Sequence, residues 1–374
     1  MNTRGAIIRE LGGGPFEIVD IELESPRQGE VMVQLVASGL CHSDMHVSTN
    51  DAPVGTYPMC CGHEGAGVVV EVGPHTKGWE VGDHCLFSML PGCGRCRWCA
   101  RGMQNLCDLG ATLLVGCRPD DPTSFRMSME GKPVGQYCGI STFSEYTTVA
   151  TESAIKVDKD VPLETVCLLS CGVGTGWGSA VNLANLYPGE TVIVMGVGGI
   201  GINAVQGAAY AGAGNVIAVD PVKLKRDTAL KLGATHAVAS MEEATELAAE
   251  LTGGHGADAS IVTVGVVNAK HVGEAAKATR KAGTIVVTGV ANAAEVGIDV
   301  SLFELTLFQK RIQGSLFGGS SPSVDIPWLL GLYQSGDLKL DEIITRSYTL
   351  DQVNEGYADM EAGNNVRGIV KFDA

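Results

Sequence analysis

Residues 191–220 constrain the fold more than any other stretch. Thr191-Val192-Ile193-Val194-Met195 is a continuous apolar run, suited to a central strand of a parallel sheet that is buried on both faces. It runs into Gly196-Val197-Gly198-Gly199-Ile200-Gly201, and residues 202–213 then read as a helix. A second strand, Val216-Ile217-Ala218-Val219, ends at Asp220. Glycines in this pattern permit a tight turn and let backbone N–H groups approach a pyrophosphate at a helix N-terminus. A carboxylate about 20 residues further on accepts hydrogen bonds from a ribose. With 50 glycines in 374 residues, G-x-G-x-x-G alone is weak evidence. Set between a strand, a helix and an acidic strand end, it predicts a dinucleotide held by Gly196, Gly198, Gly199, Ile200, Gly201 and Asp220.

The alternation continues with strands over 236–239, 259–264 and 284–288 and helices over 242–251 and 269–281. The right-handed crossover rule builds these into a doubly wound parallel sheet of the Rossmann kind. Short strands resume over 312–317. An amphipathic helix over 351–362 and a strand over 368–372 follow, the strand expected to rejoin the N-terminal domain. Residues 3–150 differ: short apolar alternations broken by Gly and Pro, such as Val31-Met32-Val33-Gln34-Leu35, predict a β-rich domain. The charged, Pro-containing stretch 118–132 reads as an exposed insertion in it. The expected class is therefore α/β in two domains, with boundaries at 1–173, 174–315 and 316–374, the first and last pieces forming one domain.

A formal net charge of −16 repels phosphate backbones and anionic lipid surfaces, which excludes general nucleic-acid or membrane affinity and suits a small neutral substrate. The N-terminus has no charged segment followed by an apolar one, and no stretch reaches membrane-span length, so the protein is expected to be soluble and cytoplasmic. Twelve cysteines in such a chain point to reduced thiols and metal ligation. Cys93, Cys96, Cys99 and Cys107 are spaced so that four sulfurs converge on one tetrahedral ion. An iron–sulfur cluster is the competing reading, but the last gap is long and Cys107 precedes Asp108, not proline. Four protein ligands leave no open position, so a zinc ion there supports folding and not chemistry.

Reactive groups are densest at Cys41-His42-Ser43-Asp44-Met45-His46, which follows a strand-like run over 30–36. A catalytic zinc needs about three protein ligands and one open position. The candidates to complete it are Gly62-His63-Glu64-Gly65 and Ser170-Cys171-Gly172, the latter just before the dinucleotide domain.

Taken in order, these motifs resemble those of the zinc-dependent alcohol dehydrogenases of the medium-chain dehydrogenase/reductase superfamily. The resemblance spans essentially the whole chain and includes Gly62-His63-Glu64-x-x-Gly67 and Cys171-Gly172-x-Gly174-Thr175-Gly176. It implies a GroES-like catalytic domain carrying the four-cysteine zinc lobe, with Cys41, His63 and Cys171 as ligands of a second, catalytic zinc. It implies that Glu64 exchanges transiently onto that metal and that Asp44 fixes the His63 tautomer. Ser43 and His46 then relay the alcohol proton to solvent through a cofactor ribose hydroxyl. His42 and Arg367 are implied near the pyrophosphate, Lys225 beside the adenosine ribose, and Thr175, Val264, Val290 and Phe317 along the rest of the cofactor. The charge of Asp220 favours NAD over NADP, tempered by Lys223, Lys225 and Arg226. Outside this set the bland readings hold: His42 as an exposed loop residue, Lys225 and Arg367 as solvated charges, and Cys60, Cys61, Cys85, Cys117, Cys138 and Cys167 as core packing.

The implied reaction interconverts a primary or secondary alcohol with its aldehyde or ketone by hydride exchange with NAD(H). Cys93-Gly94-Arg95-Cys96-Arg97-Trp98-Cys99, its continuation over 104–110 and the insertion after Cys117 are similar to a nicotinoprotein branch. Those enzymes keep NAD(H) bound and reoxidise it with an external acceptor such as a nitrosoaniline dye. Glutathione-dependent formaldehyde oxidation needs a basic anion pocket, which the acidity disfavours; a catalytically silent dinucleotide-binding protein would not need the full ligand set. Met89 and Leu90, with Leu316 and Val290, are expected as apolar pocket walls. A homo-oligomer, dimer or tetramer, is expected through an edge strand near 284–291 and through 302–314.

Overall fold

Val31, Val33 and Leu35 alternate with Met32 and Gln34, the period of a strand with two distinct faces. In the computed structural model, which describes residues 1–49 and 51–373, they lie in the strand Glu30–Gly39. It is the centre of a first unit made of Met1–Cys171, Ser321–Leu332 and Leu340–Ala374. Glu30–Gly39 pairs antiparallel with Gly65–Val72, Tyr146–Ala150 and Arg367–Lys371. The sheet extends through His84–Phe87 and Ala154–Val157 on one side and Ile344–Tyr348 on the other. The last strand thus returns to the N-terminal sheet. Strands Asn2–Ile8, Glu17–Leu23, Met127–Met129, Lys132–Gln136 and Met59–Cys60 close a small barrel. Val33, Leu35, Val69, Phe87, Phe143 and Tyr357 belong to one buried cluster of this unit. Ile7, Ile21, Met32, Met127 and Val134 belong to another. Each such side chain contributes about 1.5–3 kcal/mol relative to exposure.

Residues 118–132 are not the exposed insertion that their charge suggests. Arg118 and Arg126 are buried, and both reach Glu30 Oε1, at 2.9 and 2.7 Å. Met127–Met129 is a barrel strand between Glu17–Leu23 and Lys132–Gln136. Two of the charges that signal solvent in the sequence are neutralised inside the fold by Glu30, while Asp120, Glu130 and Lys132 stay exposed.

The second unit, Gly172–Ser320 with Tyr333–Lys339, is built on a six-stranded sheet. Its order is His236–Val238, Asn215–Val219, Thr191–Met195, Ala257–Val262, Thr279–Val287, Arg311–Gly314, every pair parallel. In chain order this is 3-2-1-4-5-6, the doubly wound arrangement whose order reverses beside the first strand. Three details differ from expectation. The helix predicted over 269–281 stops at Ala278, and Thr279 begins a strand. There Arg280 pairs with Asp258 and, at 3.0 Å, with Glu190, so tertiary ion pairing overrides local helix propensity. The strand expected over 312–317 stops at Gly314, and Arg311–Gly314 joins the parallel sheet. Residues 284–287 are interior to that sheet, and Arg311–Gly314 is its edge. Among the described residues, no single helix is long and apolar enough to cross a membrane.

Candidate active site

The strand Glu30–Gly39 ends just before Cys41, and His42–Thr49 then forms a short helix. Cys41 therefore sits at a strand-to-helix turn. His63 lies just before the strand Gly65–Val72, held by Gly62, whose φ of +85° and close approach to the Phe143 backbone exclude a side chain. The donor atoms of Cys41, His63, Glu64 and Cys171 all lie within 4.8 Å of one another, and all four residues are buried. Zinc–ligand bonds of about 2.0–2.3 Å put tetrahedral donors roughly 3.5–3.8 Å apart, so this cluster fits one ion. His63 Nε2 is buried and makes no hydrogen bond among the described residues, the state of a ring nitrogen whose partner is a metal. The Glu64 carboxylate, already beside the other three donors, is also paired with the Arg367 guanidinium.

Asp44 organises the other side of the imidazole. Its Oδ2 lies 3.0 Å from His63 Nδ1, and its Oδ1 accepts the Gly62 N–H at 2.7 Å. Burial alone would lower the His63 pKa, but Asp44, Cys41 and Cys171 outweigh it and raise it well above its ordinary value. The two thiols form a coupled pair. The hydrogen bond from Cys171 holds Cys41 well below the usual thiol range, while the same bond and burial push Cys171 up. A site that favours a thiolate beside a histidine is chemically matched to a divalent cation.

The four-cysteine lobe is a separate cage in the same unit. Its Sγ atoms also lie within 4.8 Å of one another, with Cys93 and Cys99 at 3.9 Å and Cys96 and Cys107 at 4.0 Å. These separations are close to the edge of a zinc–thiolate tetrahedron, about 3.8 Å. The Cys96 N–H points at Cys93 Sγ at 3.3 Å and the Cys99 N–H at Cys96 Sγ at 3.4 Å. The Cys99 N–H is the main cause that lowers the Cys96 thiol to about 6, and burial pushes Cys107 up to about 12.

In the second unit, the strand Thr191–Met195 delivers the chain to Gly196, whose φ of +87° turns it toward the helix Gly201–Tyr210. Space above Gly198 is open. Asp220, at the end of Asn215–Val219, accepts the Val197 N–H on Oδ2 at 3.0 Å and the Val222 N–H on Oδ1 at 2.9 Å. It thereby ties the glycine loop to the second strand, and each oxygen keeps a lone pair. Arg226 Nη1 donates to the carbonyls of Asp220 and Pro221, and Lys223 pairs with Asp227. Lys225 is half-buried. Thr175 is buried, and its Oγ1 has no partner among the described residues. Val264 packs on Gly196, while Val290 is exposed. Phe317 is buried with its ring over Gly174.

Several implied placements change. Arg367 is not a solvated charge: it is buried against the Glu64 carboxylate. His46, expected at the solvent end of a relay, is 3% exposed, with Nδ1 3.4 Å from Asp51 Oδ2. Ser43 Oγ lies 3.7 Å from Cys41 Sγ, and His42 is exposed on the first turn of its helix. Leu90 is buried in the first unit, Met89 packs against its core, and Leu316 is exposed in the second. Three residues at the metal site went unread. Tyr137 donates to the Ser43 carbonyl at 3.2 Å and sets its ring edge-on to His63, 5.5 Å between centroids. Tyr357 reaches Asp44, and Asp51 faces His46. Tyr137 and Tyr357 lie 94 and 313 residues from their partners, beyond any spacing rule. Asp51 is only five residues from His46, and an acidic residue that near a relay histidine was the available signal.

A glycine loop at the first strand of a 3-2-1-4-5-6 sheet, together with a buried thiolate–imidazole site, defines a metal- and dinucleotide-dependent oxidoreductase. Residues 27–159 match the family model of the alcohol dehydrogenase GroES-like domain, and 199–335 match that of the zinc-binding dehydrogenase. The chain is 50% identical over 374 residues to an NDMA-dependent alcohol dehydrogenase from Amycolatopsis methanolica, covering 100% of both chains. It is 45% identical over 372 residues to alcohol dehydrogenase B of Mycobacterium tuberculosis, covering 100% of this chain and 99% of that one. A solved structure of an alcohol dehydrogenase zinc-binding domain protein from Burkholderia ambifaria is 33% identical, with a TM-score of 0.91 over 100% of both chains. The chain belongs to the zinc-dependent alcohol dehydrogenases of the medium-chain dehydrogenase/reductase superfamily, oxidoreductases that act on CH–OH groups with zinc and a dinucleotide.

Proposed function

We propose that this chain interconverts a primary or secondary alcohol and its carbonyl product with NAD(H), using two zinc ions, one in the four-cysteine lobe and one on Cys41, His63 and Cys171. The observation that carries the reading is the convergence of those three buried donors with Asp44 backing His63. Zinc there supplies a Lewis acid that lowers the pKa of an alcohol, and the nicotinamide supplies the hydride acceptor. The chain's own residues handle the proton. Ser43, beside Cys41, would take the alcohol proton, and His46, one turn further on the same helix with Asp51 at 3.4 Å, would carry it outward, the two being bridged by a cofactor ribose hydroxyl and not in contact themselves. Burial of Cys41, His63 and Cys171 keeps water from competing for the metal site.

NAD is favoured over NADP because a carboxylate at the end of the second strand, Asp220, repels a 2′-phosphate and accepts a ribose hydroxyl, while Lys223 and Arg226 are engaged elsewhere. Retention of the cofactor through turnover, with an external acceptor reoxidising it, is supported by full-length identity of 50% to a relative described as NDMA-dependent. A second copy of the chain is the occupant that fits the edge strand Arg311–Gly314, whose neighbouring helix Leu302–Leu307 exposes Leu302, Phe303 and Leu307.

Metal analysis of purified protein tests the assignment: about two zinc ions per chain are expected, with Cys41→Ala losing one of them and its activity. One zinc in the wild type, with undiminished turnover in Cys41→Ala, overturns it. Nicotinamide nucleotide released on denaturation, with turnover that needs no added NAD, supports retention; strict dependence on added NAD rejects it.

A further inference from the structure

Tyr357 lies on the helix Val353–Glu361, in the C-terminal part of the first unit, and is buried. Its hydroxyl lies 3.2 Å from Asp44 Oδ2 and 3.2 Å from the carbonyl oxygen of Cys41. The hydroxyl thus touches the backbone of one metal-ligand candidate and the carboxylate that orients another. With Gly62 N–H on Oδ1 and His63 Nδ1 facing Oδ2, three groups from two segments converge on a single carboxylate. A tyrosine hydroxyl has one hydrogen, and the charged carboxylate is the stronger acceptor. The Cys41 carbonyl is the second place that hydrogen can go.

The ring has little freedom to leave. It stacks on Phe16 with centroids 5.1 Å apart and planes 23° apart, and it meets Phe143 edge-on at 6.3 Å. Asn354, one turn earlier on the same helix, clasps Phe16 twice: its Oδ1 accepts the Phe16 N–H at 2.8 Å, and its Nδ2 donates to the Phe16 carbonyl at 2.9 Å. The clasp and the aromatic stack fix where the hydroxyl points.

We propose that Tyr357 is a positioning residue of the zinc site: through Asp44 and the Cys41 carbonyl it holds His63 and Cys41 in the arrangement that retains the metal. The inference rests on assignment of a zinc ion to Cys41, His63 and Cys171. Groups that orient a metal's direct ligands commonly change metal affinity by about 10–100-fold when removed. Tyr357→Phe keeps the ring, the stack and the clasp and deletes only the hydroxyl.

Release of zinc to a chelator, followed in the intact protein with a colorimetric zinc indicator, separates the two sites. In Tyr357→Phe one zinc should leave about tenfold faster while the four-cysteine zinc leaves at the wild-type rate, which serves as the internal reference. Cobalt loaded into the three-ligand site should show a shifted visible d–d spectrum in the variant. Two zinc ions released at wild-type rates overturn the proposal, as does equal acceleration of both sites with a lowered melting temperature, which marks general destabilisation. A wild-type protein with a single zinc overturns the underlying assignment and this inference with it. An Asn354→Ala variant, which loosens the clasp without touching Asp44, should accelerate loss of the same single zinc to a smaller degree.

Discussion

At Asp44 one carboxylate faces His63, accepts the Gly62 N–H and takes the Tyr357 hydroxyl, so a single side chain sets both the loop before His63 and the imidazole itself. The neighbouring histidine is placed differently. His46 is buried with Asp51 at 3.4 Å, so a proton leaving it meets a carboxylate before it meets bulk water. If His46 carries the alcohol proton, His46→Gln should lower kcat about a hundredfold near neutral pH, the lower end of the usual contribution of a proton-transfer group. The loss should shrink as pH rises, because hydroxide then competes to take the proton. A pH–rate series checks this, and an unchanged kcat across the series rejects the relay.

Among the elements, the stretch 118–132 shows how a charged segment becomes structural. Arg118 and Arg126 converge on Glu30 at the start of the central strand Glu30–Gly39, and Arg126 also donates to Gln136 at 3.2 Å. Burial alone would raise the Glu30 pKa, but Arg126 and Arg118 outweigh it and hold it below the ordinary 4.5. Because the folded value is depressed, the stabilisation is fully present above 4.5 and is lost as pH falls through the lower folded value. Glu30→Gln leaves the buried Arg126 without its anion and Arg118 with only the exposed Glu24, and should cost about 3 kcal/mol at pH 7. Urea midpoints measured from pH 7 downward should show the gap between wild type and variant narrowing only once the pH is below 4.5. A constant gap across that range would falsify the ion-pair account.

On the scale of the whole molecule, the apolar side chains left exposed in the second unit matter most. Leu302, Phe303 and Leu307 project from one short helix, shortly before a strand whose outer edge is unpaired among the described residues. If a second copy covers them, Phe303→Glu should shift the protein to a smaller species in light scattering, with zinc content unchanged. The same mass for variant and wild type removes this face as the interface.

The strand, glycine loop and Asp220 could be read directly, because dinucleotide recognition is local: one strand, one turn and one helix carry it within about thirty residues. The four-cysteine cage was legible for the same reason, its ligands falling within a stretch short enough to close on one ion. The catalytic set was legible only as separate fragments. Cys41, His63 and Cys171 come from distant positions, and it is the fold of the first unit that brings their donors within 4.8 Å. What the tertiary structure alone decided are the partners: Tyr357 on Asp44, Tyr137 on Ser43, Arg367 on Glu64, and Arg118 and Arg126 on Glu30. Residue type shows that a tyrosine or arginine has hydrogen bonds to give. Which buried acceptor receives them depends on segments 88 to 313 residues apart being packed together, and no local period or spacing encodes that.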